Sequence, residues 1–200
     1  MPKSPTKRRP LTQAALVQSA WALFTERGFH TTSISDIVER AGLTRGAFYS
    51  NYRDKEEIFL ALYDVHADRL LSDLRDAAVQ AKPGDNPIDE IQNRLAGRTE
   101  EERQWFLVSM EFTLHAARHP ELAQQLAAHE NRLTQGLTEV LTEALARMDL
   151  RPTIPADDLA RLLTAVFEGL TALRLTHGAA YDARDLTPHL ISALTAPVTE

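Results

Sequence analysis

Arg45 and Tyr49 stand one helical turn apart, and Asn51 follows two residues later. A guanidinium fork, a phenol and a carboxamide all make directed hydrogen bonds, so their shared chemistry is recognition. They lie in Ser-Ile-Ser-Asp-Ile-Val-Glu-Arg-Ala-Gly-Leu-Thr-Arg-Gly-Ala-Phe-Tyr-Ser-Asn-Tyr-Arg-Asp-Lys, residues 33–55. This stretch predicts a short helix from Ser33, a sharp turn at Gly42 where a left-handed backbone costs little, and a second short helix capped by Thr44. Arg45, Tyr49 and Asn51 then face outward. A helix-turn-helix presents its reading helix to the DNA major groove in this way.

The surrounding chain supplies the elements that hold such a motif. Residues 1–10, rich in Lys, Arg and Pro, read as a basic disordered tail. Helix 1 is expected from near Thr12, with Leu16, Ala20, Leu23 and Phe24 at helical spacing and Gly28 ending it. Phe29 is expected to fold back on the core. Helix 2 carries a capping box, Ser33 with Asp36, and turns Ile34, Ile37 and Val38 inward. Asp54 with Glu57 opens a long helix 4 whose buried stripe is Ile58, Leu62, Leu70, Leu74 and Ala78. The loop Lys82–Pro87 stops it. Further helices are expected over roughly 88–96, 99–118, 120–148, 156–177 and 186–195, with a Pro-containing loop at Arg151–Pro155. Strand-like alternation stands out nowhere. The fold class is all-α. The expected division is the tail, a three-helix DNA-binding domain over 11–56, and a helical ligand-binding and dimerisation domain over 57–200.

Bulk properties agree with a globular intracellular protein. Hydrophobic residues make up 44 % of the 200, enough for a core. Cysteine is absent, so disulfides and thiolate metal sites are excluded. No apolar run approaches the roughly 20 residues of a membrane span, and no signal core opens the chain; a cytoplasmic location and no membrane partner are expected. Net charge is −6, but residues 1–57 hold nine Lys/Arg against six Asp/Glu, and the remainder thirteen against twenty-two. A basic front and an acidic rear leave only the front to meet phosphate.

The run Thr32-Ser33-Ile34-Ser35-Asp36-Ile37, then Ala41-Gly42-Leu43-Thr44-Arg45-Gly46-Ala47-Phe48-Tyr49, Tyr52 and Asp54-Lys55-Glu56, resembles the N-terminal domain of TetR/AcrR-type transcriptional regulators. The close match covers about Thr12 to Leu62. The resemblance implies that Arg45 and Gly46 approach base edges, with Arg45 able to take guanine bidentately. It implies that the Tyr49 hydroxyl meets a phosphate or the neighbourhood of a thymine methyl, and that Lys55, whose ammonium sits at a helix N-terminus, meets a phosphate. Thr32, Ser33 and Thr44 are short hydroxyls at helix starts and suit phosphate as well. The chain departs from the family pattern at Asn51, where histidine is common; at Tyr52, where phenylalanine is usual; and at Val38, where a small residue is frequent. Lys7, Arg8 and Arg9 could enter a minor groove or simply remain solvated.

One such head reads few base pairs, so a homodimer on double-stranded operator DNA is expected, its reading helices about 34–36 Å apart. The seam is expected on helix 8, through Leu159, Leu162, Leu163, Val166, Phe167, Leu170 and Leu173, and on the last helix, through Leu190, Ile191 and Leu194. A small-molecule effector is expected beside helix 6. Trp105, Phe106 and Met110 would form apolar walls, Glu111 and His115 polar anchors, and Tyr63 and His66 would face the same cavity. An aromatic stripe of this kind also suits a plain core. His115 and His119 stand at a spacing that can hold a metal, but no third ligand is evident, so neither metal nor cofactor is expected.

These expectations combine into a repressor that binds a palindromic operator and is released when effector binding shifts the population toward a state with wrongly spaced heads. Helix 4 would be the link. The alternatives are a ligand-independent DNA-binding protein or an activator. Catalysis has little support: Gly-rich phosphate loops, Gly-x-Ser-x-Gly and His-Glu-x-x-His are all missing.

Overall fold

The computed structural model describes residues 8–80, 87–96, 99–178 and 183–198. Helices dominate: α1 (Arg8–Arg27), α2 (Ile34–Arg40), α3 (Arg45–Tyr49), α4 (Lys55–Gln80), α5 (Pro87–Ala96), α6 (Glu100–Ala116), α7 (Pro120–Ala146), α8 (Ala156–His177) and α9 (Ala183–Leu194). Two three-residue strands, β1 (Leu150–Pro152) and β2 (Thr195–Pro197), complete the described elements. Helix α1 begins at Arg8, so Arg8–Pro10 form its first turn and not a disordered tail. Proline is tolerated there because a first-turn N–H has no intrahelical acceptor. Lys7 and Lys82–Asn86 lie outside the described residues.

The contacts group the chain into two compact units, Met1–Ala67 with Thr99–His129, and Asp68–Arg98 with Glu130–Glu200. These bounds differ from the division at 56/57 expected above, because the first half of α4, α6 and the start of α7 share the buried core of α1–α3. In the first unit α1, α2 and α3 share a core with the first half of α4, with α6 and with the start of α7. Phe24, Phe29, Phe48, Phe59 and Phe112 are all essentially sealed from solvent. Phe59 and Phe112 stack at 3.8 Å. Burying each such ring contributes about 1.5–3 kcal/mol, so this cluster holds the three-helix head to α4 and α6.

The second unit is built on Ile88, Leu141, Ala144, Leu145, Leu159, Ala160 and Ile191. Here Leu71 joins the buried face of α4, whereas Leu70 is half-buried. The strands pair antiparallel, with Leu150 opposite Pro197 and Pro152 opposite Thr195. This clip was not expected from the sequence. Three residues are too few to show alternation, and each strand carries a proline, which an edge strand tolerates.

Candidate DNA-reading site

Helix α2 starts as expected. The Ser33 hydroxyl accepts from the Asp36 N–H at 3.2 Å, and the Asp36 carboxylate accepts from the Ser33 N–H at 2.8 Å. The helix ends in a Schellman turn: Leu43 N–H reaches Val38 O at 2.8 Å, Gly42 N–H reaches Glu39 O at 3.1 Å, and Gly42 sits at φ 64°. Thr44 then caps α3, its hydroxyl accepting from Ala47 N–H at 3.2 Å. A helix of five residues cannot stand alone. Phe48, wholly buried, anchors it to the core.

What α3 leaves outside is Thr44, Arg45, Gly46 and Tyr49, all exposed, with Tyr49 at 58 %. Arg45 reaches back across the turn, its guanidinium donating to the hydroxyl of Ser35 on α2. Gly46 has no steric duty within the chain: an added Cβ would meet only the Thr44 hydroxyl, at 3.7 Å. Glycine in a helix costs about 1 kcal/mol relative to alanine, so its presence on this face suits something approaching from outside. Other cations of the head are engaged. Arg40 grips Glu26 with two bonds at 2.7 and 2.8 Å, and Arg53 bonds Asp54 at 2.9 Å. The Arg40 bond comes first among the causes that hold Glu26 below the usual carboxylate range. Arg45 makes no ion pair among the described residues.

Four expected contact residues are otherwise employed. Thr32 is 2 % exposed and donates to Gly28 O at 2.9 Å, so its hydroxyl ties the α1–α2 turn together and does not face phosphate. Ser33 donates both its hydroxyl and its N–H to Asp36, which leaves no donor for phosphate. That hydroxyl is the main reason the Asp36 carboxyl lies below its usual range. Asn51 turns its amide back onto Ala47 O at 2.8 Å, and its side-chain oxygen is buried without a partner. Lys55 is half-buried, its ammonium donating to the carbonyls of Phe29 and Thr32 at 2.7 and 2.9 Å and lying over the Phe29 ring at 4.3 Å. Burial lowers its pKa. Lys55 therefore donates to carbonyls of its own fold where phosphate was expected.

The candidate effector residues divide into two places. Tyr63, His66 and Trp105 come together: His66 stacks on Trp105 at 4.1 Å, and Tyr63 lies 5.9 Å from the same indole. Trp21 of α1, which the sequence reading passed over, joins them 4.7 Å from His66 and 6.0 Å from Trp105. Its spacing from Val17 and Leu16 was legible, but its partners on α4 and α6 were not. Phe106 is buried and Met110 is 36 % exposed. Glu111 and His115 are not anchors of that cluster. Glu111 accepts the Phe29 N–H at 2.8 Å, and His115 lies 3.3 Å from Glu56 and against the rings of Phe29 and His30. Both serve the α1–α2 turn because that face of α6 lies against the head.

Of the expected seam, Leu159, Leu170 and Ile191 are core, at 0, 9 and 8 % exposure, since an amphipathic helix buries part of so wide a stripe in its own subunit. Leu163 and Leu194 pack on the same core and are half-buried. Leu162 and Leu173 remain exposed at 38 and 39 %, while Val166, Phe167 and Leu190 are half-buried. Gly169 lies between them, with nothing within 4 Å of an added Cβ. No helix among the described residues is long and apolar enough to cross a membrane.

Comparison with known proteins places this geometry. Residues 16–62 match the family model "Bacterial regulatory proteins, tetR family", and residues 88–196 match "BetI-type transcriptional repressor, C-terminal". The HTH-type transcriptional repressor AcnR of Corynebacterium diphtheriae is 25 % identical over 178 residues, 89 % of this chain and 88 % of that one. GusR of Salmonella enterica superposes with a TM-score of 0.71 at 21 % identity, over 95 % of this chain and 98 % of its own. A complex of SmeT with triclosan superposes at 0.63 and 21 % identity, with the same coverage. The exposed face of α3 and the two family matches together assign the chain: it belongs to the TetR family of bacterial transcriptional regulators, with a BetI-type C-terminal domain.

Proposed function

We propose that this repressor binds a palindromic operator as a homodimer, reads it with Thr44, Arg45, Gly46 and Tyr49, and releases it when a small, largely hydrophobic effector binds. The observation that carries the reading is the pairing of an unobstructed Gly46 with exposed Arg45 and Tyr49 on one short helix. A backbone free of Cβ lets α3 sit close to base edges, Arg45 takes guanine, and Tyr49 and Thr44 meet phosphate. Roles divide as a DNA-binding part over 11–56 and an effector and dimer part over 57–200. The dimer seam uses the faces of α8 and α9 still open in one subunit: Leu162, Val166, Phe167, Leu173 and Leu190, closing over Gly169.

Effector binding involves Tyr63, His66 and Trp105, with Phe106 and Met110 beside them on α6. A solved structure of similar fold, that of SmeT, is a complex with triclosan, which motivates a small, largely hydrophobic effector here. An effector that favours one arrangement of α6 shifts the population away from the DNA-competent state, and DNA weakens effector binding by the same factor. A mobility-shift assay on the chain's own upstream DNA tests the core of this. Expected is a salt-sensitive shift on a palindromic fragment, lost in Arg45→Ala with Tyr49→Phe. An unchanged shift in that double variant sinks the reading.

A further inference from the structure

We propose that Ser35 on α2 positions Arg45 and thereby determines which base the repressor reads; this rests on the base-reading role proposed for Arg45. The two residues belong to different helices and meet only because the turn at Gly42 folds α3 against α2. The Arg45 guanidinium donates to the Ser35 hydroxyl. Ser35 has no other duty in its helix. The N-cap is Ser33, whose hydroxyl and N–H are both committed to Asp36. Ser35 sits half-buried beside that cap.

The chemistry of the acceptor matters. Arg40 and Arg53 are held by carboxylates, Glu26 and Asp54. A carboxylate on Arg45 would compete with guanine for the same fork and cancel its charge. Glu39 is the acid nearest to Arg45 in sequence, yet Arg45 makes no ion pair among the described residues, and Asp36, next to Ser35, is occupied by Ser33 and lies 3.9 Å from Arg27. Ser35 instead offers a neutral oxygen that occupies one donor and leaves the charge and the remaining donors facing outward. A long exposed side chain gives up rotamer freedom when it binds. An arginine already directed by Ser35 gives up less and meets one base at a set angle, which is how pre-organisation raises discrimination as well as affinity.

The test is selection of bound duplexes from a random pool by the full-length protein, followed by affinities for a panel in which each half-site position is varied. Proteins compared are wild type, Ser35→Ala, Ser35→Thr, Arg45→Ala and the double alanine variant, with circular dichroism and sedimentation as folding and dimer controls. Expected is that Ser35→Ala lowers discrimination about threefold to tenfold at the one position that Arg45→Ala also relaxes, a part of what a full bidentate contact supplies. Other positions stay as in wild type, Ser35→Thr restores the preference, and Ser35→Ala adds nothing once Arg45 is gone. Equal loss on every duplex, or an effect that adds to that of Arg45→Ala, overturns the proposal while leaving Arg45 as reader. A profile unchanged in Arg45→Ala overturns the base-reading role itself, and the positioning role with it.

Discussion

Glu111 on α6 and Lys55 at the head of α4 hold the same residue from opposite sides. The Glu111 carboxylate accepts the Phe29 N–H at 2.8 Å, and the Lys55 ammonium donates to the Phe29 carbonyl at 2.7 Å. Gly28 makes room for this, since its backbone is left-handed at φ 84° and an added Cβ would lie 2.9 Å from the carboxylate. Any movement of α6 along its axis therefore pulls on the segment that leads into α2. Glu111→Ala strands the Phe29 N–H in a half-buried site and is expected to lower stability by about 1–3 kcal/mol. Glu111→Gln keeps an acceptor oxygen and should recover most of it. Urea denaturation of the three proteins decides; equal midpoints for wild type and the alanine variant would show the bond contributes nothing.

Gly46→Ala separates folding from DNA binding. Inside the chain the new methyl meets only the Thr44 hydroxyl at 3.7 Å, so the fold tolerates it. Replacing an exposed helical glycine is expected to raise stability, by up to about 1 kcal/mol. In the proposed base-reading arrangement the same methyl would stand between α3 and the bases, and affinity is expected to fall about tenfold or more, equivalent to about 1.4 kcal/mol or above. Thermal denaturation and a mobility-shift titration on one preparation read both effects. A variant that binds as tightly as wild type would remove close backbone approach from the account.

Much of the head was legible because its signals are local. Ser33 with Asp36, Gly42 and Thr44 each determine a backbone event within a few residues, and the structure places all of them where the sequence implies. Helix α8 runs over the very residues that its apolar rhythm and Gly178 delimit. What the sequence could not show was where a side chain goes after it leaves its helix. Lys55 and Thr32 have the types and positions of phosphate ligands, yet both turn inward to carbonyls of the α1–α2 turn. Glu111 and His115 have the spacing of pocket anchors, but their partners Phe29 and Glu56 are far away in sequence. The β1–β2 clip was missed for a related reason, its pairing being long-range and its strands too short to carry a period.

Lys55→Met probes the inward role directly. It removes the donor shared by the carbonyls of Phe29 and Thr32, and a loss of about 1–3 kcal/mol in stability is expected. A lysine on phosphate would instead contribute about 0.9 to the slope of log affinity against log salt. The slope for Lys55→Met is therefore expected to match that of wild type, measured below the variant's melting temperature. A slope reduced by about one unit, with stability intact, would return Lys55 to the DNA interface.

Acid should loosen α2 through Asp36. The Ser33 hydroxyl, then the Ser33 N–H, hold this carboxyl below its ordinary value of 3.8. A group with a lower pKa in the folded state stabilises fully above the unfolded value and loses that contribution as pH falls through the folded one. Wild type is thus expected to exceed Asp36→Ala in urea midpoint at neutral pH. The gap should narrow once pH drops below 3.8 and should change little between pH 5 and 8. A gap that stays constant into acid would mean that the side chain acts through packing alone.

The dimer seam can be separated from the subunit core by one pair of substitutions on α8. Leu159 is fully buried against Leu145 and Ile191 in its own unit, whereas Leu173 is 39 % exposed on a face that also carries Leu162 and Gly169. Glutamate at 159 would place a charge in that core, and Leu159→Glu is expected to unfold the second unit or cost at least about 4 kcal/mol. Glutamate at 173 would stay in water in the monomer and, in the proposed seam, would lose that water on pairing. Leu173→Glu should keep its helix content by circular dichroism yet sediment as a monomer at micromolar concentration. It should also lose DNA binding, because a single head contacts one half-site and forgoes the contribution of the second. A dimeric Leu173→Glu would move the seam off this face of α8.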